Sequence, residues 1–143
     1  MADVVIEELT EASEMAAEQI AALLPQLTEH QQGIDVDRLS RVLETPGALY
    51  VARLEGVIVG MVQRVDVHHV VRMKSWIEDF VVDEAVRGMG IATDLLIAAV
   101  AGAPQGTLSI NLTSKTDRSD SHRLYAKLGF ELRDNATLWR LGL

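Results

Sequence analysis

One stretch constrains the fold of this chain more than any other: "SWIEDFVVDEAVRGMGIATDLLIAAVAG", Ser75 to Gly102. Its opening, Ser75–Val82, is dense in β-branched and aromatic residues and reads as a strand. Its close reads as a helix that starts at Ile91 and is stopped by Gly102 and Pro104. Between them lies Arg87-Gly88-Met89-Gly90. A strand passing through a glycine turn into a helix leaves backbone N–H groups at the positive end of the helix dipole, an arrangement that favours a phosphate. Glycines let a ligand come close because no Cβ intervenes, and Arg87 adds a permanent positive charge.

Several kinds of turn share this outline. A Walker A loop requires G-x-x-x-x-G-K-[ST], and the chain has no Gly-Lys pair. A dinucleotide fingerprint requires G-x-G-x-x-G, but Thr93 stands at the third glycine and no acidic residue closes a second strand about 20 residues on. A plain strand–helix turn that binds nothing fits the turn on its own equally well.

The rest of the chain supplies the context. "VVIEEL" reads as a short strand, and "TEASEMAAEQIAALLPQL" as a helix capped by Thr10 or Ser13, which Pro25 should end or kink. "IDVDRLSRVLE" is a second amphipathic helix. "ALYVARLEGVIVGMVQRVDV" is a hairpin with Gly56 in its turn, and Gly60 marks a bulge. Thr107–Ser114 is a further strand, "RSDSHRLYAKLGF" a last helix with Gly129 as its C-cap, and "ELR…TLWRLGL" one or two closing strands. Early hairpins followed by alternating strands and helices predict an α/β fold with a mixed sheet covered on both faces. No repeat or long linker interrupts the 143 residues, so residues 1–143 are expected to form a single domain.

Composition narrows the function. There is no cysteine, which excludes disulfides, thiolate nucleophiles and cysteine metal sites. The adjacent His68 and His69 diverge in a strand and lack the companions of a metal site, so no metal is expected. The net charge of -8 repels nucleic acid and anionic membranes and favours cationic partners. No apolar run approaches the ~20 residues of a membrane span. The acidic N-terminus has no signal-peptide pattern, so the default location is cytoplasmic.

Two motifs in order now resolve the turn. Arg87-x-x-Gly90-x-Ala92, following its strand, resembles the acyl-CoA-binding turn R/Q-x-x-G-x-G/A of the GNAT N-acetyltransferase superfamily. Downstream, "RSDSHRLYAKLGFEL" resembles that family's closing signature through Arg118, Arg123, Leu124, Tyr125, Lys127, Leu128, Gly129, Phe130 and Glu131. The resemblance implies the GNAT fold, with a mixed central sheet of about six or seven strands flanked by about four helices on both faces. It implies acetyl-CoA as co-substrate and direct attack by an amine in a ternary complex.

The same resemblance implies roles for individual residues. The CoA pyrophosphate would lie on the backbone of Arg87, Gly88, Met89, Gly90, Ile91 and Ala92, with Thr93 adding a hydroxyl. The pantetheine arm would pair with the backbone of Phe80, Val81 and Val82, where the strand holding them splays from the one holding Ile110–Thr113. Asn111 and His122 are further cofactor contacts, although His122 stands where the family often has Asn, and Met89 where it commonly has Lys or Arg. Glu78, with Asp79 second, is the base: "IEDFVV" resembles the "LEDFFV" stretch of spermidine/spermine N-acetyltransferases. Neighbouring strand residues point to opposite faces, so both carboxylates reach one site only if a bulge intervenes. Tyr125 holds the position of the acid that protonates the leaving thiolate. The acceptor is a small-molecule amine, for which the acidic balance favours a cationic compound, or a protein amine. A homodimer is the family-level expectation. The alternative reading is an acyl-CoA-binding regulatory domain without catalysis.

Overall fold

A computed structural model describes residues 3–29, 33–115 and 118–143. Its elements are β1 (Val4–Glu8), α1 (Glu14–Leu27), α2 (Val36–Glu44), β2 (Gly47–Leu54), β3 (Val57–His68), β4 (Met73–Val82), a 3-10 turn (Glu84–Val86), α3 (Ile91–Ala101), β5 (Ile110–Asn111) and α4 (Ser119–Lys127). The chain divides into a larger unit, residues 1–113, and a smaller one, residues 114–143.

In the larger unit the five strands form one sheet in the order β1-β2-β3-β4-β5. The first three pairings are antiparallel and β4–β5 is parallel, so the sheet is mixed. Glu55 and Gly56, both at positive φ, close the β2–β3 hairpin as a two-residue turn matched to strand twist. The expected bulge is there too: the β2–β3 register slips by one residue beside Gly60. Helix α1 starts at Ser13, whose hydroxyl accepts from Ala16 N, and α2 starts at Asp35, whose carboxylate accepts from Arg38 N. Pro25 lies within the last turn of α1, which runs on to Leu27.

Alternation along the strands sorts the two faces. Leu49 and Val51 of β2, Met61 of β3 and Val81 of β4 join Ala16, Ala17, Ile20 and Leu23 of α1 and Leu39 of α2 in one apolar core. The intervening residues face α3: an Arg64 nitrogen donates to the carbonyl of Ala99, and Leu95, Leu96 and Ala99 are fully buried. Helices therefore cover both faces of the sheet.

The expected six or seven strands are five among the described residues. The strand predicted over Thr107–Ser114 shortens to Ile110–Asn111, because only two pairs link it to β4. The closing strands predicted after Phe130 do not form. Leu132, Leu138, Trp139 and Leu141 are more than two-thirds exposed there. Trp139, Leu141 and Leu143 alternate as in a strand, but alternation without a hydrogen-bonded partner does not make one. In the smaller unit α4 ends on Gly129 at φ 92, and the Tyr125 and Phe130 rings pack at 6.1 Å between centroids.

Candidate functional site

Strand β4 is regular up to Glu78 and then changes. Gln63 of β3 pairs with Glu78 and Met61 pairs with Val81, so Asp79 and Phe80 together oppose the single residue Val62. This is a β-bulge, and Asp79 sits in it at φ 47. The extra residue removes the strict alternation that would send Glu78 and Asp79 to opposite faces. Glu78 is on the α1/α2 side with its cross-strand neighbour Gln63. Asp79 lies within the field of Arg38 on α2.

Both carboxyls are pushed up from their ordinary values. Partial burial raises Glu78, and the neighbouring charge of Asp79 raises it further. Partial burial raises Asp79 as well, and Arg38 offsets part of that rise. Among the described residues Asp79 faces a cation and Glu78 does not, which makes the two neighbouring acids an asymmetric pair.

β4 also parts from its other neighbour. It pairs with β5 only at Ser75↔Ile110 and Trp76↔Asn111. Asn111 spans the start of the opening: its amide donates to the Ser75 carbonyl and the Ser109 hydroxyl. Beyond Trp76 the β4 edge through Phe80, Val81 and Val82 has no β5 partner among the described residues. At the far end of this edge, Arg87 Nε donates to the carbonyl of Val82 at 3.3 Å.

The glycine turn follows at that end of β4. Gly88 and Gly90 have φ of 85 and 80, values that side chains disfavour, and no atom lies within 4 Å of where a Cβ would stand. They are required by the backbone path rather than by crowding. Gly90 caps α3 without a side-chain bond. The first intrahelical bond runs from Asp94 N to Gly90 O, and the amides of Gly88 through Thr93 donate to no protein acceptor among the described residues. Those donors, aligned at the positive end of an 11-residue helix, are what an anion requires. Met89 is exposed and supplies no charge.

In the smaller unit, burial raises the Tyr125 phenol above its ordinary value, while a hydrogen bond from Ser121 and the charge of Arg118 work the other way. The His122 ring contacts the carbonyl of Lys115 at 2.9 Å, so that nitrogen is engaged within its own unit. Arg123 pairs with Asp120 on an exposed face, which fits a solvated helix charge.

Other residues of consequence lie outside every motif. Arg64 and Asp66 form an ion pair at 2.9 Å with side chains only 4% and 8% exposed. Ser75 donates to Asp66 at 2.6 Å. A buried arginine in a strand is not marked by any spacing rule, and the positions of Asp66, the Tyr50 side chain and the Ala99 carbonyl explain it. Among the described residues no cluster of His, Asp and Glu is suited to hold a metal ion, and no helix is long and apolar enough to cross a membrane.

Known structures with this architecture are numerous. An aminoglycoside acetyltransferase from an uncultured soil metagenomic sample, solved with sisomicin, superposes with a TM-score of 0.82 at 18% identity, over 98% of this chain and 96% of that one. The aminoglycoside N-acetyltransferase AAC(6')-Iy, solved with CoA, gives 0.78 at 19% identity over 99% and 96%. An acetyltransferase of Trypanosoma brucei gives 0.79 at 25% identity over 99% and 100%. No curated protein sequence matches the chain. The profile of the acetyltransferase (GNAT) family matches residues 9–130, and with the mixed sheet, the parted β4 and the glycine turn, the chain belongs to that family.

Proposed function

We propose that this protein is an acetyl-CoA-dependent N-acetyltransferase in which a primary amine attacks the thioester directly. The observation that carries this reading is the parting of β4 from β5 after Trp76, at the strand that leads into a turn of six undonated amides. A phosphate chain with an amide-bearing arm matches both halves. The pyrophosphate takes the amides of Gly88 to Thr93 beside Arg87, and the arm adds to the free edge of Phe80, Val81 and Val82 as an extra strand would. Asn111 borders the opening. A β4 amide near Val81 or Val82 stabilises the oxyanion of the tetrahedral intermediate.

The chemistry needs one base and one acid. An alkylammonium has a pKa of about 10.4 and must lose a proton before it can attack. Glu78 takes that proton, directly or through water, with its raised pKa making it a stronger base than an ordinary carboxylate. Asp79 is the second carboxylate and draws the ammonium in. Nitrogen attacks the carbonyl carbon, the C–S bond breaks, and Tyr125 protonates the departing CoA thiolate. His122 contributes a cofactor contact from α4. The acceptor class is a cationic small-molecule amine: the CoA-bound and sisomicin-bound relatives act on aminoglycosides, and this chain carries net charge -8.

Thermal stability with acetyl-CoA, NAD or ATP tests the reading, followed by CoA-thiol release over a panel of amines. A ligand at 100 times its Kd adds about 2.7 kcal/mol. Stabilisation by acetyl-CoA alone is the expected result. Stabilisation by NAD or ATP, or by none of the three, refutes it. Binding without thiol release on any amine would favour an acyl-CoA-binding domain without catalysis.

A further inference from the structure

Helix α1 carries two glutamines, Gln19 and Gln26, seven residues apart and so on one side of the helix. Each leaves its own helix to serve the backbone of another segment. Gln19 Oε1 accepts from Ile58 N at 3.0 Å, next to the turn of the β2–β3 hairpin. Gln26 makes two bonds: its Nε2 donates to Asp83 Oδ1 at 3.3 Å, and its Oε1 accepts from Glu84 N at 2.9 Å. This pairing fixes which way the amide points, because a flipped amide would set oxygen against carboxylate and N–H against N–H.

The segment that Gln26 grips is the link between β4 and the glycine turn. Asp83 Oδ1 also accepts from Ala85 N, and the 3-10 turn closes through Val86 N to Asp83 O. Asp83 N is held by the Val59 carbonyl. The turn that follows is held back to β4 by Arg87 Nε donating to the Val82 carbonyl, while Gly88 and Gly90 are at positive φ and their amides lack protein acceptors among the described residues. The direction in which the chain leaves Val86 therefore decides where those amides aim.

We infer that Gln26 is a positioning residue, which through Asp83 and Glu84 sets the entry of the anion-binding turn and so couples α1 to cofactor affinity. The inference rests on the acetyl-CoA reading above. Without the two bonds the unliganded turn samples more conformations, and the cofactor must select the competent one, which weakens its apparent affinity by the fraction that is competent.

The test compares three variants with the wild type by CoA calorimetry, amide hydrogen exchange and steady-state kinetics. Q26A should weaken CoA binding about fivefold to thirtyfold, the loss of two hydrogen bonds, while kcat at saturating acetyl-CoA stays within about twofold. Exchange of the amides from Glu84 to Ile91 should quicken. Q19A, which removes the same kind of contact from the same helix, should leave CoA affinity and that exchange unchanged. Q26E sets a carboxylate against Asp83 Oδ1 and should be at least as impaired as Q26A. Equal effects of Q26A and Q19A, or wild-type affinity in Q26A, overturn the inference, as does a Q26E variant that binds CoA as tightly as the wild type. Wild-type protein that does not bind CoA would refute the acetyl-CoA reading instead, and the exchange comparison would then decide alone whether Gln26 orders the turn.

Discussion

Replacing Arg64 with Met should be among the costliest single changes in the larger unit. The Arg64 side chain is 4% exposed and Asp66 8%, with 2.9 Å between Nε and Oδ1. A further Arg64 nitrogen donates to the Ala99 carbonyl at 2.8 Å, near the end of α3. Met fills similar volume but supplies no charge, so the Asp66 carboxylate stays buried with Ser75 as its remaining donor. Breaking one side of a buried pair costs about 3–5 kcal/mol, far more than the pair itself is worth against an apolar replacement. Removing both members, in R64M/D66L, should therefore return much of the loss. At about 3 °C per kcal/mol for a chain of this size, R64M should lower Tm by about 10–15 °C. Urea melts at neutral pH measure the loss directly.

Acid supplies a second arm of the same test. Burial pushes Asp66 up, but hydrogen bonds from Arg64 and Ser75 outweigh it, so its folded pKa lies below the unfolded value. A carboxylate shifted this way contributes stability above its unfolded pKa of about 3.9 and loses it as pH falls through the folded value. The gap between wild type and D66N should thus be full at neutral pH and close in acid below pH ~4. An R64M loss under about 1 kcal/mol, the size of an exposed pair, would refute the argument. So would a double variant no more stable than R64M.

The other predictions concern the site and its support. E78Q should lower kcat/KM about 100-fold at neutral pH, with the deficit closing toward pH ~10 as the amine deprotonates unaided; a pH-independent loss would mean a binding role. Y125F should lower kcat by about 10²-fold or more while CoA affinity measured by calorimetry holds, and unchanged turnover removes Tyr125 as the acid. Asp79 has a folded pKa above its unfolded one, so its ionised form opposes folding at neutral pH; D79N, which also tolerates φ 47, should match or exceed wild-type Tm, whereas Asp79→Val should lose about 1–2 kcal/mol in a denaturant melt. In G102A the new methyl would collide with the Tyr50 hydroxyl and an Arg64 nitrogen, and about 1–3 kcal/mol of overpacking should appear as a lower Tm.

How far local pattern carries can be judged from particular elements. Ser13 announces its helix because a side-chain oxygen three residues ahead of an orphan amide acts locally. Glu55-Gly56 announces its hairpin for the same reason. The glycine turn is local too: strand, two glycines at positive φ and helix follow one another within a few residues. The expected C-terminal strands do not form: Trp139, Leu141 and Leu143 alternate as a strand would, but pairing depends on a distant partner that alternation does not name.

By itself, then, the sequence determined the α/β class, the capped start of the first helix, and the turn with its motif, all of which arise from interactions among near neighbours. Tertiary structure decided whatever depends on residues far apart in the chain. The bulge that releases Asp79 from strict alternation exists only as a register slip between β3 and β4. The parting of β4 from β5 is a property of two strands about 35 residues apart. The reason for a buried Arg64 is an Asp66 facing the same way and a helix carbonyl 35 residues on. Gln26 has its meaning only because folding brings residues 57 and 58 positions away within hydrogen-bond reach.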